Sequence, residues 1–318
     1  MQIRNEVLHS FFERSKLCVT RCLAPGMNCK NTAIRSHSLQ NSRVLDLLVR
    51  DGHVKALTKK INNDSGPVIA FEDVGRNDAT TFGGFCAVHD SAIFKAIEAD
   101  IFRPENSEHL FLISYRAIAR ELNVLLEAAV RIQASYQDRV KLGIDSGDVP
   151  TPVGMLAVEY MTKSYSAYEY KCTFDEVIVT KQYTKILHDV IQVNHERPHI
   201  AVCSLFSIDG LSRGDGDYVR IALNVLPQNT NQSAVIFGYL PQDQELVRPF
   251  LNPILTAEEH YQKYLLSKLI LNNCENFVVS PVSFDRWSPE KRKAITDYFV
   301  KTLLHGDFEA ENQHFYLF

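Results

Sequence analysis

The chain has 318 residues, 45% of them hydrophobic and 23% charged, which is the composition of an ordinary globular protein. It contains no run of about 18 apolar residues, so no membrane-spanning helix is expected, and its charged first stretch lacks the apolar core of a signal peptide. Residues 1–60 hold eleven Lys and Arg against four Asp and Glu, whereas the whole chain has a net charge of −4. These features predict a cytoplasmic protein with a basic, polyanion-binding surface near its N-terminus.

The spacing of apolar residues predicts an α+β protein with three regions. Residues 1–103 are expected to form an N-terminal module of short strands and helices. Residues 104–197 are expected to form a helical region, and residues 198–318 a C-terminal α/β region with a small sheet and helices. A chain of this length has room for two or three domains, each with its own core.

The elements of the N-terminal module are short and are separated by polar turns. In chain order they are a helix over 3–16, a loop over 22–31 around Pro25 and Gly26, a strand from Ala33 or Ile34, a helix over 41–52, short strands over 53–75 and a helix from Cys86.

The rest of the chain has longer elements. A long amphipathic helix is predicted over 103–142, because apolar residues recur there at helical spacing. The further predicted elements are a second helical region over 153–193, three strands over 199–241, helices over 256–272 and 288–304, and an extended segment around 277–284.

The chain has seven cysteines, an odd number. Cys172, Cys203 and Cys274 stand alone in regular segments, which argues against a framework of disulfides. The other four lie near the N-terminus, at Cys18, Cys22, Cys29 and Cys86. In a reducing compartment such a group favours metal binding over disulfide bridges.

Structural zinc takes four Cys or His ligands in a tetrahedron, commonly as two local pairs. Cys22 and Cys29 flank the Pro-Gly loop and form the first candidate pair. Cys86 and His89, at the start of a predicted helix, form the second. Cys18 with Cys22 is an alternative first pair, and the spacing leaves that choice open. The sequence therefore predicts a bound Zn²⁺ with structural character.

His37 and Asp90 are the catalytic candidates, because each lies next to one of these pairs. A histidine base can activate water for attack on a phosphodiester, and a single divalent ion on carboxylate ligands can stabilise the charge that develops. His37 is therefore expected to be the base, and Asp90 a ligand of a catalytic Mg²⁺ or Mn²⁺. Arg35 and Arg43 flank the base and are expected to contact phosphates.

The order of these motifs resembles the zinc-stapled HNH, or His-Me finger, nuclease family with its ββα-metal fold. The segments that carry the resemblance are "RSHS" around His37 and "FCAVHD" around Cys86. The same segments resemble a largely uncharacterised group of bacterial proteins with Ser-His-Ser and Phe-Cys-x-x-His-Asp motifs. The family commonly has an acid before the strand histidine, where this chain has Ser36. It also has Cys-x-x-Cys-His at the helix start, where this chain has His89 and Asp90.

The resemblance implies a metal-dependent HNH-like endonuclease that hydrolyses nucleic acid, with DNA favoured, and by analogy a role in bacterial defence against phage. The alternative is a non-catalytic zinc-stapled module that binds nucleic acid or protein, which Ser36 in place of the acid favours. In either case the C-terminal region is a candidate surface for a protein partner. No Walker A, Rossmann or Gly-x-Ser-x-Gly pattern is present, so a nucleotide-driven motor or a serine hydrolase is not expected.

Overall fold

The structure, a computed structural model, describes residues 13–62, 66–212, 218–305 and 312–318. Its helices are α1 (Ala87–Ala99), α2 (Ser107–Lys141), α3 (Pro152–Thr180), α4 (Gln244–Leu255), α5 (Glu259–Asn273), α6 (Pro281–Asp285) and α7 (Pro289–His305). Its strands are β1 (Ile34–His37), β2 (His53–Asn62), β3 (Gly66–Gly75), β4 (Thr81–Phe85), β5 (Leu187–Asn194), β6 (Ile200–Ser212), β7 (Tyr218–Pro227), β8 (Gln232–Tyr239) and β9 (Phe277–Val279). The α+β class predicted from the sequence is confirmed.

The chain folds as two compact units that are interleaved along the sequence. The first consists of Met1–Ser36, Phe82–Ile93 and Ile118–Gln182, and the second of His37–Thr81, Phe94–Ala117 and Tyr183–Phe318. The division into three successive regions stays a prediction.

The first unit combines two long helical segments with short extended ones. The Asn123 side chain on α2 donates to the carbonyl of Gly83 on β4 at 3.2 Å. Helix α3 begins after Thr151, whose hydroxyl accepts a hydrogen bond from the Gly154 N–H, and it ends at Lys181, which has a left-handed backbone (φ 56°). A Thr cap before a proline at the first helical position is a typical helix start.

The second unit contains an antiparallel seven-stranded sheet in the order β3-β2-β9-β6-β7-β8-β5. Strand β7 lies near the middle and is buried at every position after Tyr218, which explains why it is mostly apolar. Apolar residues of the sheet pack with those of α4, α5 and α7 into one core. Strand β9 joins β6 to the hairpin of β2 and β3, with Val279 opposite both Lys55 and Ile200.

Most of the long elements lie where the sequence places them. Helix α2 matches the helix predicted over 103–142, and β6, β7 and β8 match the three predicted strands. Only residues 13–16 of the predicted helix over 3–16 are described; residues 13–15 are helical and Lys16 is in a turn. None of the helices in the described ranges is long and apolar enough to cross a membrane.

Two predicted elements were wrong. The predicted helix over 41–52 is a single 3₁₀ turn at Leu45–Leu47, because the chain turns sharply at Asp51 and Gly52, both with positive φ. The second helical region does not reach residue 193: α3 ends at Thr180, and Leu187–Asn194 pairs with β8 as strand β5. The apolar residues Leu187, Val190 and Ile191 fit helical spacing as well as a half-buried strand, so periodicity alone does not separate the two.

Candidate metal centre

The first two cysteines of the centre lie on a closed loop of the first unit. An isolated bridge between Arg21 and Thr32 closes this loop, and the Ala33 N–H donates to the carbonyl of Thr20 at 2.8 Å. Between the cysteines the chain turns at Gly26 (φ 75°) and Met27 (φ 49°). Glycine adopts a positive φ at little cost, so the Pro-Gly pair lets the loop fold back on itself.

The other two ligands come from the start of α1. The Leu23 N–H donates to the carbonyl of Gly84 at 2.7 Å, which holds the loop against β4. The backbone N–H of Cys86 donates to the Sγ of Cys22 at 3.3 Å. His89 follows Cys86 by three positions, so the first turn of α1 brings both side chains to the same side.

The four side chains predicted as zinc ligands converge. The ligand atoms of Cys22, Cys29, Cys86 and His89 all lie within 4.8 Å of one another. The Nδ1 of His89 is 3.4 Å from the Sγ of Cys22 and 3.4 Å from the Sγ of Cys86, and the Sγ atoms of Cys29 and Cys86 are 4.0 Å apart.

These separations match the edges of a zinc tetrahedron. Zn–S bonds of about 2.3 Å and Zn–N bonds of about 2.0–2.1 Å imply S–S edges of about 3.8 Å and S–N edges of about 3.6 Å. Three thiolates and one imidazole also form a donor set that zinc commonly takes in structural sites. The cluster can therefore hold a metal ion such as zinc, as the sequence predicts.

The choice between the two possible first pairs follows from the positions of the cysteines. Cys18 is exposed, and its Sγ contacts the carbonyl oxygen of Lys16 at 3.3 Å. It lies outside the cluster, whereas Cys29 belongs to it. The pair of Cys22 and Cys29, which has six residues between its members, is thus the one that the fold brings together with Cys86 and His89.

The electrostatic surroundings prepare the cluster for a cation. A hydrogen bond from the backbone N–H of His89 is the main reason that the pKa of the Cys86 thiol is lowered to about 6. A hydrogen bond from the Asn31 side chain also lowers it. Burial raises the pKa of Cys22, and the backbone N–H of Cys86 partly offsets that rise. Since the thiolate is the form that binds metal, Cys86 is the cysteine that is ready to ligate at neutral pH.

Three residues that sequence reasoning missed support the loop. The Asn31 side chain donates to the Sγ of Cys86 at 3.8 Å. On α3, Lys171 and Asp175 form an ion pair of 2.6 Å, and the other carboxylate oxygen of Asp175 accepts from the Gly26 N–H at 3.3 Å. The signal in the sequence is a Lys and an Asp four residues apart on a predicted helix.

His37, the predicted base, ends β1 and belongs to the second unit. Its Nε2 lies 3.2 Å from the carbonyl oxygen of Arg76. Because a carbonyl oxygen only accepts, Nε2 carries the proton and Nδ1 is left as the proton acceptor. Asp90, the predicted ligand of a catalytic ion, lies in the first turn of α1, half-buried and directly after His89.

The two predicted phosphate contacts differ in their surroundings. Arg35 is exposed on β1. The guanidinium of Arg43 donates to the carbonyls of Ala99, at 2.8 Å, and Asp100, at the C-terminal end of α1. There it neutralises the negative end of the helix dipole, a structural role that the sequence did not reveal. Both phosphate contacts stay predictions.

Comparisons with protein-family models, with curated proteins and with solved structures gave no match. The geometry of the cluster is therefore the main ground for assigning chemistry to this chain.

Proposed function

We propose that the cluster binds one structural Zn²⁺. The observation that carries this is the convergence of four ligand atoms within 4.8 Å of one another, three of whose separations (3.4, 3.4 and 4.0 Å) are close to the edges of a zinc tetrahedron. Bound zinc would supply folding free energy, because an unfolded chain offers no preformed site. The four ligands are Cys22, Cys29, Cys86 and His89.

Zinc content tests this part of the proposal. The wild type and each Cys→Ser variant are purified without added metal, and zinc is counted by mass spectrometry. One zinc per chain is expected for the wild type and for Cys18→Ser, with loss in the Cys22, Cys29 and Cys86 variants. Retention of full zinc content by all three of those variants would refute it.

We further propose that the chain is a metal-dependent nuclease that acts on nucleic acid, with DNA favoured. The support is the tautomer of His37: a backbone carbonyl fixes its Nε2–H, which leaves Nδ1 to take a proton from water. A divalent Mg²⁺ or Mn²⁺ would supply charge stabilisation at the phosphate, and Asp90 is the ligand that the resemblance to HNH nucleases implies. A role in defence against phage rests on that resemblance alone.

The nuclease proposal is tested on supercoiled plasmid, single-stranded DNA and RNA, with and without Mg²⁺ or Mn²⁺. Metal-dependent cleavage is expected for the wild type and should fall by at least about a hundredfold in His37→Ala, the usual size of a general-base effect. His53→Ala is the matched control, since His53 is exposed at the start of β2, where its Nδ1 contacts the Asp51 carbonyl oxygen at 2.8 Å. Full cleavage by His37→Ala, with zinc retained, would exclude His37 as the base.

A second candidate is a zinc-stapled module without catalysis, and Ser36 favours it. Where the related motif has an acid, Ser36 is buried, and its Oγ has no hydrogen-bond partner among the residues that the structure describes. Zinc binding without cleavage of any substrate would favour this candidate. Fluorescence anisotropy with labelled duplex DNA over a range of salt concentrations would then test whether the basic segment binds nucleic acid.

A further inference from the structure

The second unit contains a cavity of about 300 Å³ that the metal centre does not use. Ile97 and Phe102 line it from α1 and the segment that follows, Ile113 from α2, and Leu226 from β7. Ile101 also lines it and is 77% exposed, so the cavity has an apolar rim that solvent reaches. An apolar cavity of about 150 Å³ takes one benzene molecule, so this one has room for a ligand with a larger apolar body.

The buried side chain of Arg116 lines one side of the cavity. Arg116 is only 3% exposed, and its Nη2 donates to the carboxylate of Glu98 at 2.6 Å. Its guanidinium lies over the ring of Phe94, 3.9 Å from the centroid. The Nε–H of Arg116 is buried and has no hydrogen-bond partner in the described part of the chain. A buried donor without an acceptor costs free energy, so this arginine is one acceptor short.

A second donor on the same cavity lacks a partner. Asn224 on β7 is 1% exposed, and its Nδ2 is buried without an acceptor among the described residues. Native proteins leave few buried polar groups unpaired, so two at one cavity call for an explanation. Glu98 already pairs with the Nη2 of Arg116, so the unpaired groups at the cavity are the Nε–H of Arg116 and the Nδ2 of Asn224. Arg43 also lines the cavity, and no Asp or Glu among the described residues does. Two unpaired donors, with the Arg43 guanidinium beside them, favour a ligand with acceptor oxygens and negative charge.

We propose that this cavity binds a small carboxylic acid with an apolar body of about six to ten carbon atoms. The carboxylate accepts from the Nε–H of Arg116 and from the Nδ2 of Asn224. Its apolar body contacts Ile97, Phe102, Ile113 and Leu226. This pattern of an apolar lining with a few convergent polar groups is typical of small-molecule sites. The inference does not depend on the proposed nuclease activity or on zinc.

Calorimetric titration of the full chain tests the proposal with decanoate, below its micelle-forming concentration, and with 3-phenylpropanoate. At least one of the two acids is expected to bind in a one-to-one ratio and to raise the melting temperature. Decanol and decylamine are the matched probes, and both should bind at least about tenfold more weakly, because neither offers a charged acceptor. Decanol binding as tightly as decanoate, or no binding of either acid, would overturn the proposal.

Variants locate the site. Arg116→Lys and Asn224→Leu each remove one of the unpaired donors at similar side-chain size, and each should weaken binding about tenfold. Val44→Phe leaves both donors in place but fills part of the cavity, which Val44 lines, so it should abolish binding. Arg248→Lys is the control, since Arg248 lies outside the cavity and pairs with Asp189 at 3.0 Å. If Val44→Phe folds and binds the acid like the wild type, the site is elsewhere and the assignment is wrong.

Discussion

Asp175 and Gly26 are 149 positions apart along the chain, yet the Asp175 carboxylate accepts a hydrogen bond from the Gly26 backbone N–H at 3.3 Å. Its other oxygen pairs with Lys171, whose side chain is fully buried. One carboxylate on α3 therefore neutralises a buried cation and also fixes the turn of the loop that carries Cys22 and Cys29.

Removing this carboxylate is expected to destabilise the protein strongly. Asp175→Leu leaves the Lys171 ammonium buried without its partner, which costs about 3–5 kcal/mol. The double variant Lys171→Met with Asp175→Leu removes both charges, so urea unfolding should show a much smaller loss for it than for the single variant. Equal losses for the two proteins would contradict the expectation.

The same helix provides the control for that experiment. Lys163 and Glu159 form an exposed pair of 2.6 Å with the same four-residue spacing. Glu159→Gln should cost no more than about 0.5 kcal/mol, because water screens exposed pairs. Asp175→Leu should also release zinc faster to a chelator, since the loop loses its contact at Gly26, whereas Glu159→Gln should release it at the wild-type rate.

Removal of the metal should loosen one part of the chain selectively. Stripping zinc with a strong chelator leaves thiolates close together, so we expect faster hydrogen exchange over residues 18–32 and 82–93. The sheet of the second unit has a core of its own and should keep its protection. Uniform loss of protection in both regions would contradict this expectation.

Stability should depend on pH through His188, which is paired with Gly238 across β5 and β8. Burial lowers the pKa of His188 to about 4, against 6.5 for an unperturbed histidine. Between these values the unfolded chain binds the proton and the folded chain does not, so stability rises with pH. The contribution is therefore present above pH 6.5, and about 3 kcal/mol is lost as the pH falls from 6.5 to 4.

His188→Gln removes one titrating group and should make this part of the stability curve less steep. Some slope should remain, because burial also lowers the pKa of His199 to about 4. Urea midpoints measured from pH 4 to pH 7 check the difference between the two proteins. His53→Gln is the control: His53 is exposed at the start of β2, and the curve of this variant should keep the wild-type slope. An unchanged slope in His188→Gln would exclude His188 as the source.

Substitution of Arg43 can distinguish a structural role of this side chain from a role in nucleic-acid binding. Its contacts with the last carbonyls of α1 predict that Arg43→Met lowers stability by about 1–2 kcal/mol. Arg35→Met, on exposed β1, should change stability by less than about 0.5 kcal/mol. If Arg43→Met keeps full stability but weakens DNA binding, the phosphate role predicted from the sequence is the better account.

The sequence predicted the four residues that converge, although it left Cys18 with Cys22 open as the first pair, and it predicted most of the long elements. Cys22 and Cys29 bracket a Pro-Gly turn, and Cys86 and His89 sit one helical turn apart, so local geometry alone suggests two pairs. Strand β5 was missed because its apolar residues continue the helical spacing of α3. The cavity around Arg116 and Asn224 could not be predicted, since its walls come from segments more than one hundred residues apart along the chain.

The order in which the chain is synthesised determines how long the first two cysteines of the metal centre lack the other two ligands. Cys22 and Cys29 emerge first, and Cys86 and His89 follow some sixty residues later, which takes about 3–12 s at ordinary rates of synthesis. Asp175, which fixes the turn at Gly26, arrives later still. During this interval the reduced thiols of Cys22 and Cys29 are present without Cys86 and His89. Oxidants in the cell can therefore react with them before a metal binds. Co-expression under oxidative stress should therefore lower the yield of zinc-loaded protein more than the same stress applied after synthesis.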